Sequence, residues 1–272
     1  MTTTKPTSPD ASGSGSDRST SGQKPVALPR DAPLEQLIHD SSPDLLTAVA
    51  SDPRLTEDLA LALLQRRDLP REALVELYKH KSLGGLRKVR MAMITHAHTP
   101  RHVSVPAIRH LLAFELMQVA LLPSVPADVK RAAEDVLLTR LAGISSGERF
   151  TLAKRSSGRV AAALLLDKEE RVLNAALANP QMTEAWIVKA LKAGLGTELL
   201  APAVCRHAKW PHRTDVKIAL LANRHTPLAR VVQFAAELPQ RSLQDALRQT
   251  QLAPNVKTYL KKVLESRTPR GA

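Results

Sequence analysis

Val172 to Leu191, VLNAALANPQMTEAWIVKAL, is the stretch that decides the fold, because its internal spacing returns elsewhere in the chain. It reads as a helix, a tight turn and a second helix. Val172, Ala175 and Leu177 share a face of the first segment, and Ile187, Leu191 and the Trp186 ring fall on the second. Small Ala175 lets two helix backbones approach closely. Asn179 and Pro180 are expected to end the first helix, since Asn tolerates the left-handed conformation and Pro cannot continue the hydrogen-bond ladder. Thr183 then offers an oxygen to the free N–H groups of the next helix, with Glu184 near its positive end.

The same order appears as Leu45, Ala48, Ala50, Asp52-Pro53 and Thr56-Glu57. It recurs as Leu59, Ala62 and Leu64 with Pro70, as Val89, Ala92 and Ile94 with His98-Thr99-Pro100, and as Val216, Ala219 and Leu221 with His225-Thr226-Pro227. The last two, VRMAMITHAHTP and VKIALLANRHTP, align without a gap. Weaker copies run through Met117 to Val129 with Pro126, and through Leu243, Ala246 and Ala253-Pro254, while Phe150, Ala153 and the VAAALLL run from Val160 to Leu166 lie between. The units are degenerate and unevenly spaced.

Helical pairs that cannot bury their apolar faces alone, repeated every 20–45 residues or so, are the signature of a solenoid. On these residues the chain resembles the HEAT-like α-solenoids, and more narrowly the leucine-rich repeat variant group, whose units carry a similar V-x-x-A-L-A-x-N-P-x-T-P run. The resemblance covers roughly residues 45 to 265 and is closest over Val160 to Leu191. It also extends to segments of uncharacterised bacterial proteins. It implies an all-α fold, an α-solenoid of irregular HEAT-like helical-hairpin repeats. Some leucine-rich repeat variant proteins carry an N-terminal cysteine cluster for an iron–sulfur centre; with Cys205 as the single cysteine here, no cofactor is expected.

Composition points the same way. Of the 272 residues, 43% are hydrophobic but only 3% aromatic, so Leu, Ala and Val must do the packing, which suits short helices better than a β-sandwich. A single cysteine rules out an intrachain disulfide and fits a reducing compartment. The longest apolar run, Leu111 to Leu122, is interrupted by Glu115 and Gln118, so no membrane span is expected. Residues 1–33, rich in Ser, Thr, Gly and Pro and without an apolar signal core, read as a disordered tail on a cytoplasmic protein. Residues 34–266 read as the helical repeat domain and 267–272 as a flexible C-terminus.

The formal net charge of +13 should attract polyanions. Two basic concentrations are the candidates. The first holds Arg66, Arg67, Arg71, Arg87, Lys88 and Arg90, with Lys79, Lys81, Arg101 and Arg109 around them; the second is Arg206, Lys209, Arg213 and Lys217 about Trp210. On a curved solenoid such side chains could meet phosphates along one face. Helical repeat faces also carry Lys and Arg for solubility alone.

His96, His98 and His102 have spacing that can present two imidazoles to one metal ion. The repeats argue otherwise: His96 occupies the slot of Asn179 and Asn223, and His98 that of His225, so no metal site is expected. The architecture also resembles HEAT-like alkylpurine DNA glycosylases, for which Trp210 and Asp215 are the only nameable counterparts. No phosphate loop, G-x-S-x-G elbow or H-E-x-x-H pair is present. The resulting expectation is a non-enzymatic scaffold for a protein partner, with a nucleic-acid-binding solenoid as the alternative.

Overall fold

The structure is a computed structural model that describes residues 28–29, 33–194, 196–248 and 253–267. Almost all of the expected tail and residues 268–272 lie outside the described residues. The described chain is all helix and turn, with no strand. Its helices are α1 (Leu34–Leu37), α2 (Pro43–Ser51), α3 (Glu57–Leu64), α4 (Arg71–Lys79), α5 (Arg87–Thr95), α6 (Arg101–Ile108), α7 (Ala113–Leu121), α8 (Ala127–Arg140) and α9 (Ser146–Arg155). They continue as α10 (Gly158–Ala163), α11 (Glu170–Leu177), α12 (Glu184–Lys192), α13 (Leu200–Arg206), α14 (Thr214–Ala222), α15 (Leu228–Glu237), α16 (Gln240–Leu247) and α17 (Pro254–Arg267).

Most helices are only two to three turns long, too short to be stable alone, so each depends on the apolar face it buries. That burial follows the chain. α2 packs on α4, α3 on α5, α5 on α7, α7 on α9 and α9 on α11, while α6 packs on α8, α8 on α10, α10 on α12, α12 on α14 and α14 on α16. Helices two places apart therefore stack, and this is compatible with a solenoid. The buried side chains form two bodies that meet on α5, where Val89 and Met93 join the first and Ile94 the second. Tyr78 packs against both.

The repeated turn has a defined chemistry. In α14 the terminal Asn223 accepts the His225 N–H on Oδ1 at 2.9 Å and donates through Nδ2 to the Leu191 carbonyl at 2.8 Å, 32 residues earlier. His96 does the same at the end of α5: Nδ1 accepts the His98 N–H, and Nε2 therefore carries the proton it gives to the Arg66 carbonyl at 2.8 Å. In both copies the following threonine, Thr99 or Thr226, donates to the carbonyl six residues back, Met93 or Leu220, at 2.6 Å. Asn179 accepts the Gln181 N–H and donates to the carbonyls of Ala153 and Ser156 at the end of α9. Asp52, whose side chain has no N–H to give, accepts the Arg54 N–H in the turn and pairs with the Arg54 guanidinium, but makes no bond to an earlier helix end among the described residues.

Other side chains reach back in the same way. Arg66 donates to Ile38 and Asp40, His80 bonds the Asp52 carbonyl, and Arg140 donates to Arg109 and Leu111. Trp210 donates to Leu177, and Arg267 to Ala235, Ala236 and Leu238. The last carbonyls of a helix have no partner within it. Here the donors come from the helix two places later, and most separations are 28 to 33 residues.

Three expectations change. Asp52, His96 and Asn223 are extended, not left-handed, so they end their helices by bonding the next turn, and His96 and Asn223 also an earlier helix, rather than by an unusual backbone. Thr183 precedes α12 without capping it, whereas Thr56 does accept the Leu59 N–H at the start of α3. Pro70, Pro100 and Pro227 stand immediately before α4, α6 and α15 in extended conformation, so these prolines launch the following helix.

Candidate functional site

Arg87 and Lys88 open α5, whose first turn contains no acid to complement the helix's positive end. Arg87 pairs with Glu115 in the first turn of α7. Glu115 is buried and also accepts the Leu112 N–H at 2.7 Å. Burial pushes its carboxyl up, but the Leu112 N–H, the Arg87 guanidinium and nearby Arg90 outweigh burial and hold it below the usual carboxylate range. Arg90 donates to the Gly85 carbonyl at 2.9 Å. Arg66 is committed to Asp68 and the two carbonyls at the end of α1. Arg67, Arg71 and Lys88 are exposed and have no bonded partner among the described residues.

In the second concentration the reading of Trp210 as a surface residue is corrected. Its ring is 2% exposed and its Nε1–H donates to the Leu177 carbonyl at 2.9 Å, so the indole serves as another reach-back donor. The Lys209 ammonium lies 4.2 Å from the ring centroid, a cation–π contact that covers the indole. Arg206 pairs with Glu170, and Lys217 with Glu237 at 2.6 Å. Arg213 remains exposed and without a bonded partner among the described residues. Asp215, the glycosylase counterpart named with Trp210, lines a groove between α12 and α14, and the buried indole has no free face for a nucleotide.

The structure brings Arg87, Lys88 and Arg90 together on one helix, and Lys209 onto Trp210, but the two concentrations sit on different stacks of neighbours. α3 to α5 pack on α2, α6 and α7; α13 and α14 pack on α11, α12, α15 and α16. Both ring nitrogens of His96 are occupied by backbone groups, and the His98 ring lies edge-on to it at 5.6 Å between centroids. Among the described residues no group of three or more His, Cys, Asp or Glu side chains is placed to hold a metal ion. None of the described helices is long and apolar enough to cross a membrane.

What residue-type reasoning missed is apolar. Leu112, Phe114, Leu121 and Leu122 on or beside α7 are exposed although Leu116 and Val119 fill the buried face of the same helix. Phe150 on α9 and Leu228 and Val232 on α15 are exposed too. The signal lay in the Leu111–Leu122 run, which holds more large apolar residues than one buried stripe can use. Beside it, Arg87, Lys88, Met91, Ala92, Thr95, Glu115 and Leu122 line a groove of about 580 Å³ between α5 and α7. The groove between α12 and α14, about 1040 Å³, has mixed charge from Glu184, Lys189, Lys192 and Asp215. Comparison with family models, with curated proteins and with solved structures found no match for this chain.

Proposed function

We propose that the chain is an α-solenoid of irregular HEAT-like helical-hairpin repeats that acts as a non-enzymatic scaffold for a protein partner. The stacking of helices two places apart and the reach-back bonds at separations near 30 residues support the repeat reading. The observation that carries the protein-partner reading is the set of exposed Leu112, Phe114, Leu121 and Leu122 beside a stable helix face. Clustered apolar surface of this kind marks interaction sites. Of the basic candidates, by contrast, Arg66, Arg87, Arg206 and Lys217 are paired within the chain with Asp68, Glu115, Glu170 and Glu237.

The nucleic-acid reading keeps one specific support, the open guanidinium and ammonium groups of Arg67, Arg71, Lys88 and Arg213 on a chain of net charge +13. Two measurements separate the readings. A photo-crosslinking residue placed in turn at Phe114, Phe150 and Val232 should yield discrete protein adducts in cells; adducts with nucleic acid alone, or none at any of the three positions, would overturn the scaffold. A salt titration against generic duplex and single-stranded DNA and RNA should show no binding that survives near-physiological salt, and tight binding with a steep salt slope would place nucleic acid first.

A further inference from the structure

Within the scaffold reading, and resting on it, the geometry points to the α5–α7 groove as a docking site for an acidic amphipathic peptide segment. The two helices run side by side in the same direction, since Arg87 at the start of α5 pairs with Glu115 at the start of α7, while Thr95 and Leu122 at their other ends line the same groove. The groove therefore has a charged mouth and an apolar far end. At the mouth stand Arg87 and Lys88; beyond them lie Met91, Ala92, Thr95 and Leu122, and α7 also carries exposed Phe114 and Leu121 outside the groove lining.

Charge decides the sign of the occupant. Among the described residues Glu115 is the one carboxylate lining the groove, and it is already bonded to Arg87 and to the Leu112 N–H. Lys88 has no bonded partner among the described residues, and the first turn of α5 adds its own positive end without an acid. A carboxylate arriving there meets an uncompensated cation. Apolarity decides the rest: Met91, Ala92 and Leu122 offer no hydrogen-bonding side chain to a base edge, and the ring of Trp210 is buried elsewhere, so the groove matches an aliphatic side chain better than a nucleotide.

Spacing makes the occupant specific. Lys88 and Thr95 are seven residues apart on one helix, about 10 Å at 1.5 Å per residue. The ligand thus needs a carboxylate and an aliphatic anchor separated by that length, roughly seven residues if it docks as a helix or three if it docks extended. This is the mode in which an amphipathic segment lays its apolar face in a groove and uses its charges for register.

The test uses the full chain and a fluorescein-labelled 16-residue alanine-based peptide with two glutamates near its start and two leucines seven residues further on. Fluorescence anisotropy should show binding at least 10-fold tighter than for a shuffled peptide of the same composition or for polyglutamate. Lys88→Glu and Leu122→Asp should each weaken it 10-fold or more while leaving the chain folded, since both side chains are exposed; Lys88→Glu, which places an acid at the positive end of α5, should if anything raise the thermal midpoint. Lys189→Glu, in the other groove, should leave it unchanged. Equal binding of polyglutamate, indifference to Leu122→Asp, or tighter binding of a 20-nucleotide oligothymidylate that Leu122→Asp does not affect would overturn the assignment. If the groove variants have no effect while protein adducts persist at Phe150 or Val232, the groove alone is wrong; loss of adducts at every crosslinking position removes the scaffold itself.

Discussion

The Asn223 side chain spans two helix ends at once, accepting the His225 N–H and donating to the Leu191 carbonyl 32 residues earlier. Replacing it by alanine leaves a buried carbonyl and a turn N–H unpaired, so Asn223→Ala should lower stability by about 1–3 kcal/mol in a urea unfolding curve. Asn223→Asp should cost at least as much, since a carboxylate cannot donate. Asn223→His should cost less than either, because His96 makes the same pair of bonds in the equivalent position.

Gly158 begins α10 against the turn between α11 and α12. A Cβ there would collide with the Gln181 carbonyl oxygen, a backbone atom that cannot step aside. Gly158→Ala should therefore destabilise by about 1–3 kcal/mol through a shifted turn. Gly147, in α9 with open space around it, is the control. Gly147→Ala should raise the thermal midpoint slightly, by about 0.5–1 kcal/mol of helix propensity.

Stability should have two pH limbs. Burial and, after it, the Lys209 ammonium hold the His207 imidazole below its usual value, and Nδ1 accepts the Lys209 N–H. The folded state binds this proton more weakly than the unfolded chain, so the contribution is complete above about pH 6.5 and is lost as pH falls toward the folded value. His207→Asn keeps an acceptor and should flatten that limb. The second limb is acidic: Arg54 beside Asp52 and Lys217 beside Glu237 hold those carboxyls below the usual range, as Glu115 is held. Their stabilisation is present above about pH 4 and is lost as pH falls through their folded values. Urea midpoints from pH 3 to 8 would resolve both.

Cys205 is buried in α13, and desolvation pushes its thiol up to about 11 despite the opposing charges of Arg230 and Arg206. The thiolate is the reactive form. Alkylation by iodoacetamide at pH 8 should run at least about 100-fold slower than for a free cysteine and should rise to the free rate in denaturant. Rapid labelling of the native protein would show that α13 opens.

The all-helical class and the recurring helix-ending turns were legible because apolar spacing and Asn/Asp-Pro turns are local signals. Pro70, Pro100 and Pro227, read from the sequence as part of the recurring pattern, stand where helices start. The regular spacing was not legible: by residue type the copies look uneven, and only the bonds from His80, His96, Arg140 and Asn223 to carbonyls about 30 residues back expose the common interval. A donor can be His, Asn, Arg or Trp in this role, so no single letter repeats. The same degeneracy hid Trp210, whose basic neighbours suggested a surface while its N–H was engaged with Leu177. The α5–α7 groove depends on which apolar residues the packed face leaves over, a tertiary fact that the run Leu111–Leu122 could only hint at.

Each reach-back bond is donated by a later residue to an earlier carbonyl. The traffic is one-way. On the ribosome, a helix that has already emerged keeps its carboxyl end open until about 30 more residues follow, a wait of roughly 2–6 s at 5–20 residues per second. The ends of α1, α2, α3, α6, α9, α11, α12 and α15 are thus closed by a later helix, and while they wait the growing chain carries an unfinished edge.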